Sequence, residues 1–164
     1  MLNTSIVLYN HSVVEIESLI KSLRQSKQVD EMFLIDNSPV RNPDFEKLPA
    51  TYIFNNKNLG YGAAHNIAIR KTIEQDIPFH LVVNPDIEFE SSILEELEDF
   101  MQKNSDVGLL MPKVLYPTGE IQYLCKLLPK PSDLFFRRFL PNTWSQQSNQ
   151  RFELRSSGYD KLMD

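Results

Sequence analysis

The chain has 164 residues, of which 41% are hydrophobic and 24% charged. That balance excludes a disordered chain and leaves room for one domain with a real core, but not for two ordinary domains. A formal net charge of -5 argues against a general nucleic-acid binder, because phosphate contacts need clustered Lys and Arg; binding of a free nucleotide through a few backbone amides and a metal ion stays open.

In chain order, Ser5-Ile6-Val7-Leu8-Tyr9 reads as a short apolar strand. Ser12 then caps a helix, with Glu15 three residues on to close a capping box. Val13, Ile16, Ile20 and Leu23 recur at helical spacing and predict a buried stripe. Met32-Phe33-Leu34-Ile35 is a second strand, ending at the turn-forming cluster Asp36-Asn37-Ser38-Pro39. Tyr52-Ile53-Phe54 is a third, followed by the loop Asn55-Asn56-Lys57-Asn58. A second helix opens at Gly62 or Ala63 and runs to about Glu74, with small residues that let it lie close to a sheet or a ligand. Phe79-His80-Leu81-Val82-Val83 is the fourth strand, stopped by Asn84-Pro85-Asp86. Ser92 and Glu95 predict another capping box, with Ile93, Leu97, Phe100 and Met101 as the apolar face of the helix behind it. Val107-Gly108-Leu109-Leu110-Met111 is a fifth strand candidate, and 114–116 with 121–123 read as a hairpin across Pro117-Thr118-Gly119.

Continuous apolar strands alternating with amphipathic helices predict an α/β fold with a mostly parallel sheet covered on both faces. In open sheets of this kind ligands bind beyond the carboxyl ends of the strands. That rule picks out 9–11, 36–38, 55–62 and 84–86 as the candidate site. Asp86 sits directly behind the fourth strand, where a carboxylate can hold Mg²⁺ or Mn²⁺, or serve only as a turn residue near a helix start. Asp36 can accept from a nucleotide base or ribose, or close an Asx turn. The stretch Asn58-Leu59-Gly60-Tyr61-Gly62-Ala63-Ala64-His65-Asn66 permits close backbone approach to a ligand or is simply a helix start. It is not a dinucleotide fingerprint, since His65 stands where the third glycine would fall, and no phosphate-loop Gly-Lys-Ser/Thr is present. His65 reads either as a diphosphate or acceptor contact or as a satisfied core histidine.

Four pieces in order, Ser5-Ile6-Val7-Leu8-Tyr9-Asn10, Leu34-Ile35-Asp36-Asn37-Ser38, the 58–66 stretch and Val83-Asn84-Pro85-Asp86, resemble the N-terminal part of glycosyltransferase family 2, in the rhamnosyltransferase-like branch of bacterial polysaccharide assembly. The pieces 111–114 and 119–122 are similar too, and the resemblance covers roughly 4–125. It implies a GT-A fold, a Rossmann-like nucleotide-diphospho-sugar-binding domain over 1–125, with 126–164 as an incomplete acceptor-side or packing extension. On this resemblance Tyr9 and Asn10 line the nucleotide pocket and Asp36 meets the base. Asn58, Gly60, Gly62 and Asn66 border nucleotide and sugar. Asn84 and Asp86 stand for the family's D-x-D element, with Asn84 in place of the first carboxylate and Asp86 as the ligand of a donor-bound Mg²⁺ or Mn²⁺.

The implied reaction is inverting transfer of a sugar, with rhamnose a candidate, from a nucleotide diphosphate to a polysaccharide or lipid-linked acceptor. The alternative is a catalytically inactive nucleotide-sugar-binding or interaction protein on the same fold. The family takes its general base from a downstream Glu-Asp motif. None is found before Asp164, so no catalytic residue is assigned and the chain is expected to be C-terminally truncated. A single cysteine, Cys125, and the absence of a signal-like start or a long apolar run predict a cytoplasmic protein. The run Phe135-Phe136-Arg137-Arg138-Phe139 is a candidate for peripheral contact with the inner face of a membrane or for packing. Apolar surface left open by truncation predicts a homo-oligomer. Sedimentation at micromolar concentration should show a species heavier than one chain; monomer alone would rule the oligomer out.

Overall fold

In the computed structural model, which describes residues 1–124, 127 and 153–155, the first strand runs further back than its apolar stretch. β1 is Leu2–Leu8 and includes the fully buried Asn3, Thr4 and Ser5. Polar side chains tolerate such burial only when their hydrogen bonds are met, and here they are. Asn3 Nδ2 donates to Gln75 Oε1 at 2.6 Å and its Oδ1 accepts from Glu31 N–H at 3.1 Å, while Thr4 Oγ1 donates to the Leu81 carbonyl at 3.1 Å. β2 (Val29–Asp36), β3 (Thr51–Phe54) and β4 (Phe79–Val83) follow, and all four strands pair in parallel in the order β3-β2-β1-β4. Leu8 stands opposite Asp36, and Asp36 opposite Phe54; on the other side Ile6 stands opposite Val83.

The helices sort to the two faces by alternation along the strands. On one face Ile6, Leu8, Met32 and Leu34 meet Ile16, Leu19, Ile20 and Leu23 of α1 (Val13–Gln25) and Leu94 of α3 (Ile93–Lys103). On the other, Phe33 and Ile35 meet Ala64 and Ala68 of α2 (Tyr61–Glu74). The two alanines are fully buried, which is how α2 comes close to the sheet. The capping box at Ser12 and Glu15 forms as expected, with Ser12 N–H donating to Glu15 Oε2 at 2.7 Å. A short 3-10 helix, Pro43–Lys47, was not anticipated; Asn42 caps it through the Asp44 N–H, and Phe45 plugs the core beneath.

Two expectations are corrected. Ser92 forms no side-chain cap on α3, because its own backbone is already helical (φ -62°, ψ -29°) and a capping residue needs extended geometry. The apolar run 107–111 forms no strand: Leu109 is 88% exposed, and no ladder bonds reach it. Apolarity alone does not make a strand without a paired neighbour. The hairpin does form, from β5 (Val114–Leu115) and β6 (Ile121–Gln122) in antiparallel pairing, closed by Gly119 N–H to the Tyr116 carbonyl at 2.8 Å. The chain divides into two compact units after Leu110, with the hairpin in the second. Cys125 and the 135–139 run lie outside the described residues. Among the described residues no helix is long and apolar enough to cross a membrane.

Under α2 lies a buried polar chain. Ser5 Oγ contacts His65 Nδ1 and His80 Nε2, and His80 Nδ1 contacts Thr72 Oγ1, all at 2.7 Å; Thr72 Oγ1 reaches the Ala68 carbonyl at 3.2 Å. One proton order satisfies all four contacts. Thr72 donates to the carbonyl and accepts from His80 Nδ1–H, His80 Nε2 accepts from Ser5, and Ser5 accepts from His65 Nδ1–H. His80, which donates from one nitrogen and accepts at the other, must then be neutral, and burial pushes both histidines down to about 4, His80 also through its proximity to His65. A depressed folded value means the stabilisation is complete above the unfolded value near 6.5 and is lost as pH falls toward 4. Going from about pH 7.5 to about pH 5 should cost on the order of 1 kcal/mol per histidine, allowing for solvent screening. Denaturant titration at the two pH values measures it. His80→Asn should lose about half of the pH dependence; equal stability at both pH values in the parent would refute the assignment.

Candidate functional site

The strand order sets where a cleft can form. The chain lays down β1, β2 and β3 in one direction, then returns to the other side of β1 for β4. The strand order thus reverses at β1, and a crevice opens between the carboxyl ends of β1 and β4. A cleft of about 430 Å³ lies there, lined by Val7, Tyr9 and His11 from the end of β1, Asn84, Pro85 and Asp86 from the end of β4, and Asn37, Asn58 and Tyr61 across the rim.

Of the residues expected at the site, Tyr9, Asn58, Asn84 and Asp86 come together on this wall, while Asn10, Asp36, Gly60, Gly62 and Asn66 are not among its lining. Asp36 ends β2 fully buried. Its Oδ1 accepts from Ser38 N–H at 2.9 Å, an Asx turn, and its Oδ2 accepts from the Tyr52 hydroxyl at 2.6 Å. Burial and then this bond push the Tyr52 hydroxyl up to about 12, so it stays a donor. With both oxygens engaged, Asp36 acts from behind the wall by holding the turn that presents Asn37. Asn10 sits at φ 57°, a left-handed conformation that asparagine tolerates, and its N–H donates to Ser38 Oγ at 2.8 Å. Asn66 is exposed on α2.

A ladder of asparagines shapes the glycine-bearing loop. Asn55 Nδ2 donates to Asn37 Oδ1 at 2.9 Å, Asn37 Nδ2 reaches Asn58 Oδ1 and the Gly60 carbonyl at 3.4 Å each, and Asn58 Oδ1 accepts from Gly60 N–H at 2.9 Å. The ladder leads into α2, whose first turn carries no side-chain cap. Tyr61, the first residue of α2, reaches across to β4's end, its hydroxyl donating to Asn84 Oδ1 at 2.7 Å. Burial and then the charge of Asp86 push the Tyr61 hydroxyl up, keeping its proton. On the near side Tyr9 N–H donates to His11 Nδ1 at 2.9 Å, so a neutral His11 carries its proton on Nε2. His65 lies not on the wall but in the core, 2% exposed and stacked edge-on against Tyr61 at 4.3 Å. His11 and Tyr61 lie within the segments 9–11 and 55–62 that the strand-end rule picks out, without a role assigned to either; that they face this crevice follows only from the strand order.

Among the described residues Asp86 is the one carboxylate on the cleft, and it has no hydrogen-bond or ion-pair partner among them. No group of three or more His, Cys, Asp or Glu side chains able to cage a metal occurs among the described residues. A single free carboxylate still fits Mg²⁺ or Mn²⁺ bound mainly through substrate phosphates, because such cations take one or two protein carboxylates and complete their shell from phosphate and water.

A parallel sheet of this order, with helices on both faces and a polar cleft at the switch between β1 and β4, defines a Rossmann-like, GT-A type α/β fold. The sequence matches the family described as "Glycosyl transferase family 2" over residues 5–141, and the chain belongs to that family. Comparison with curated proteins finds no significant match. Among solved structures the chain is similar to TarS of S. aureus, with 16% identity and a TM-score of 0.49. That similarity covers 71% of this chain and 24% of the TarS chain, so the protein spans about a quarter of the length of that relative.

The two loop glycines differ in what they require. Gly60 has φ 82° and ψ 162°, a region that is essentially closed to other residues. A Cβ on Gly62 would meet nothing within 4 Å, and its backbone is ordinary. Gly60→Ala should therefore cost about 1–3 kcal/mol, whereas Gly62→Ala should leave stability unchanged or raise it by up to about 1 kcal/mol. Thermal melts of the two variants measure this; equal losses would refute the distinction.

Proposed function

We propose that the chain binds a nucleotide-diphosphate sugar in the cleft between β1 and β4 and takes part in transfer of its sugar, with inversion, to a glycan or lipid-linked acceptor. The observation that carries this reading is the convergence of Tyr9, Asn58, Asn84 and an unpartnered Asp86 on one crevice in a chain of the glycosyl transferase family. The resemblance to the rhamnosyltransferase-like branch makes rhamnose in polysaccharide assembly the first donor sugar to try. In this reading residues 1–125 supply the donor site and 126–164 the acceptor-side or packing extension.

The proposed roles follow from chemistry. Tyr9, half-exposed on the cleft, offers a face for a base to stack on, and Asn10 and Asp36 set the turns around it. Asn58 and Asn84 supply neutral polar contacts, and Gly60, Gly62 and Asn66 form the rim at the α2 N-terminus, where first-turn amides favour an anion. Asp86 would hold Mg²⁺ or Mn²⁺, which when bound neutralises the diphosphate and eases its departure. A homo-oligomer and peripheral membrane contact belong to the same proposal, the latter through 135–139.

A second reading, binding without turnover, is favoured by one observation. Inverting transfer needs a base on the face opposite the leaving group, and Asp86, which this reading commits to the cation, is the only carboxylate lining the cleft among the described residues.

Calorimetric titration with uridine, thymidine and guanosine diphosphate-sugars, with and without Mn²⁺, tests the function. At least one donor should bind, and Asp86→Ala should weaken the Mn²⁺-supported binding by about tenfold or more, the order expected for losing a charge-assisted contact. Absence of binding across the donors would sink the reading. Binding without sugar release or transfer would select the second reading.

A further inference from the structure

In the motif position where the family resemblance expects two carboxylates, this chain has Asn84 followed two residues later by Asp86. The structure adds a constraint that the sequence does not contain. The carbonyl end of the Asn84 side chain is already occupied, accepting from the Tyr61 hydroxyl at 2.7 Å. A tyrosine hydroxyl carries its proton at neutral pH and so acts as the donor in this bond. Asn84 Nδ2 has no partner among the described residues, and the side chain lines the cleft.

That bond holds Oδ1 toward Tyr61, so the end of the carboxamide left without a protein partner is Nδ2, whose two N–H groups can only donate. N–H groups do not ligate a cation; they bind oxygen acceptors. We propose that Tyr61 is a positioning residue that holds the Asn84 carboxamide so that Nδ2 donates to an oxygen of the diphosphate, with Asp86 as the carboxylate that would hold a divalent cation. This rests on the reading of the cleft as a nucleotide-diphosphate site.

Two properties follow. Part of the diphosphate's grip comes from a neutral donor that works without metal, so nucleotide binding survives metal removal in weakened form. The balance between metal-free and metal-supported binding is set by Tyr61 through its bond to Asn84. Without the tyrosine hydroxyl the Asn84 carboxamide is free to rotate and turn its oxygen toward a cation beside Asp86. The pinning bond spans 23 residues and joins the start of α2 to the end of β4, so the two sides of the cleft share one hydrogen bond. Tyr61 also rests edge-on against His65, and a phenylalanine keeps that contact.

The test uses the full chain and uridine, thymidine and guanosine diphosphates as probes, each titrated in chelator and in Mn²⁺. The parent should bind one of them in chelator, with Mn²⁺ tightening the binding. Tyr61→Phe should weaken chelator binding about three- to tenfold while Mn²⁺ binding changes less, so that the ratio of the two affinities rises. Asn84→Asp, which places a second carboxylate beside Asp86, should nearly abolish chelator binding and raise that ratio further. Thermal melts establish that each variant is folded, and a fall in overall stability would not by itself move the ratio. A Tyr61→Phe ratio equal to the parent's, with the parent binding, overturns the positioning role and leaves the site reading intact. A parent that binds none of the three diphosphates under either condition overturns both.

Discussion

The arrangement depends on β1 being paired on both sides, with β2 along one edge and β4 along the other. A central parallel strand cannot slip by one residue without turning its apolar set to the wrong face, so the register is held by burial on both sides of the sheet. Leu8 therefore ends level with Asp36, and Val83 ends two residues short of it. That stagger, with the reversal of strand order, leaves Val7 and Tyr9 facing 84–86 over an open crevice. The cleft results from which strand lies beside which, and its residues are simply those that come next in the chain.

Holding β1 in the centre requires the burial of polar groups. Asn3, Thr4 and Ser5 are all inaccessible, and each is met by a partner from a distant element: Gln75, the Leu81 carbonyl, His65 and His80. Such a network is tolerated only when fully connected, and the proton order through Ser5 and the two histidines connects it up to one atom. His65 Nε2 is buried without a hydrogen-bond partner among the described residues. Asp36 is handled in the same way at the other end of β2, its charge absorbed by one backbone amide and one tyrosine hydroxyl.

Among the described residues the lining that results carries one carboxylate, three asparagines, two tyrosines and a histidine, besides Val7 and Pro85. Its chemistry is mostly neutral and able both to donate and to accept hydrogen bonds. That suits a ligand that joins a flat base, sugar hydroxyls and a charged diphosphate, whose negative charge needs a cation more than a second anion beside it. Tyr61 ties the two walls together through its bond to Asn84 Oδ1.

The periodic apolar runs were legible without coordinates because burial on a sheet face or a helix stripe writes directly into residue order. The strands read at 5–9, 32–35, 52–54 and 79–83 and the stripe on α1 followed from this, the first of them ending at Leu8 in the structure, as did the rule placing ligands at strand ends. What was not legible depends on partners far away in the chain. β1 extends back through polar residues because Gln75 and Glu31 meet them. The run 107–111 is apolar enough for a strand but has no neighbour to pair with. Asp36 and Asp86 both follow an apolar strand, yet one is enclosed by Tyr52 and the other is open to the cleft. Residue order thus specified which segments are buried and where each strand stops, since those are local balances of hydrophobicity and turn chemistry; which carboxylate faces a ligand was decided by strand order and long-range hydrogen bonds, which exist only once the chain is folded.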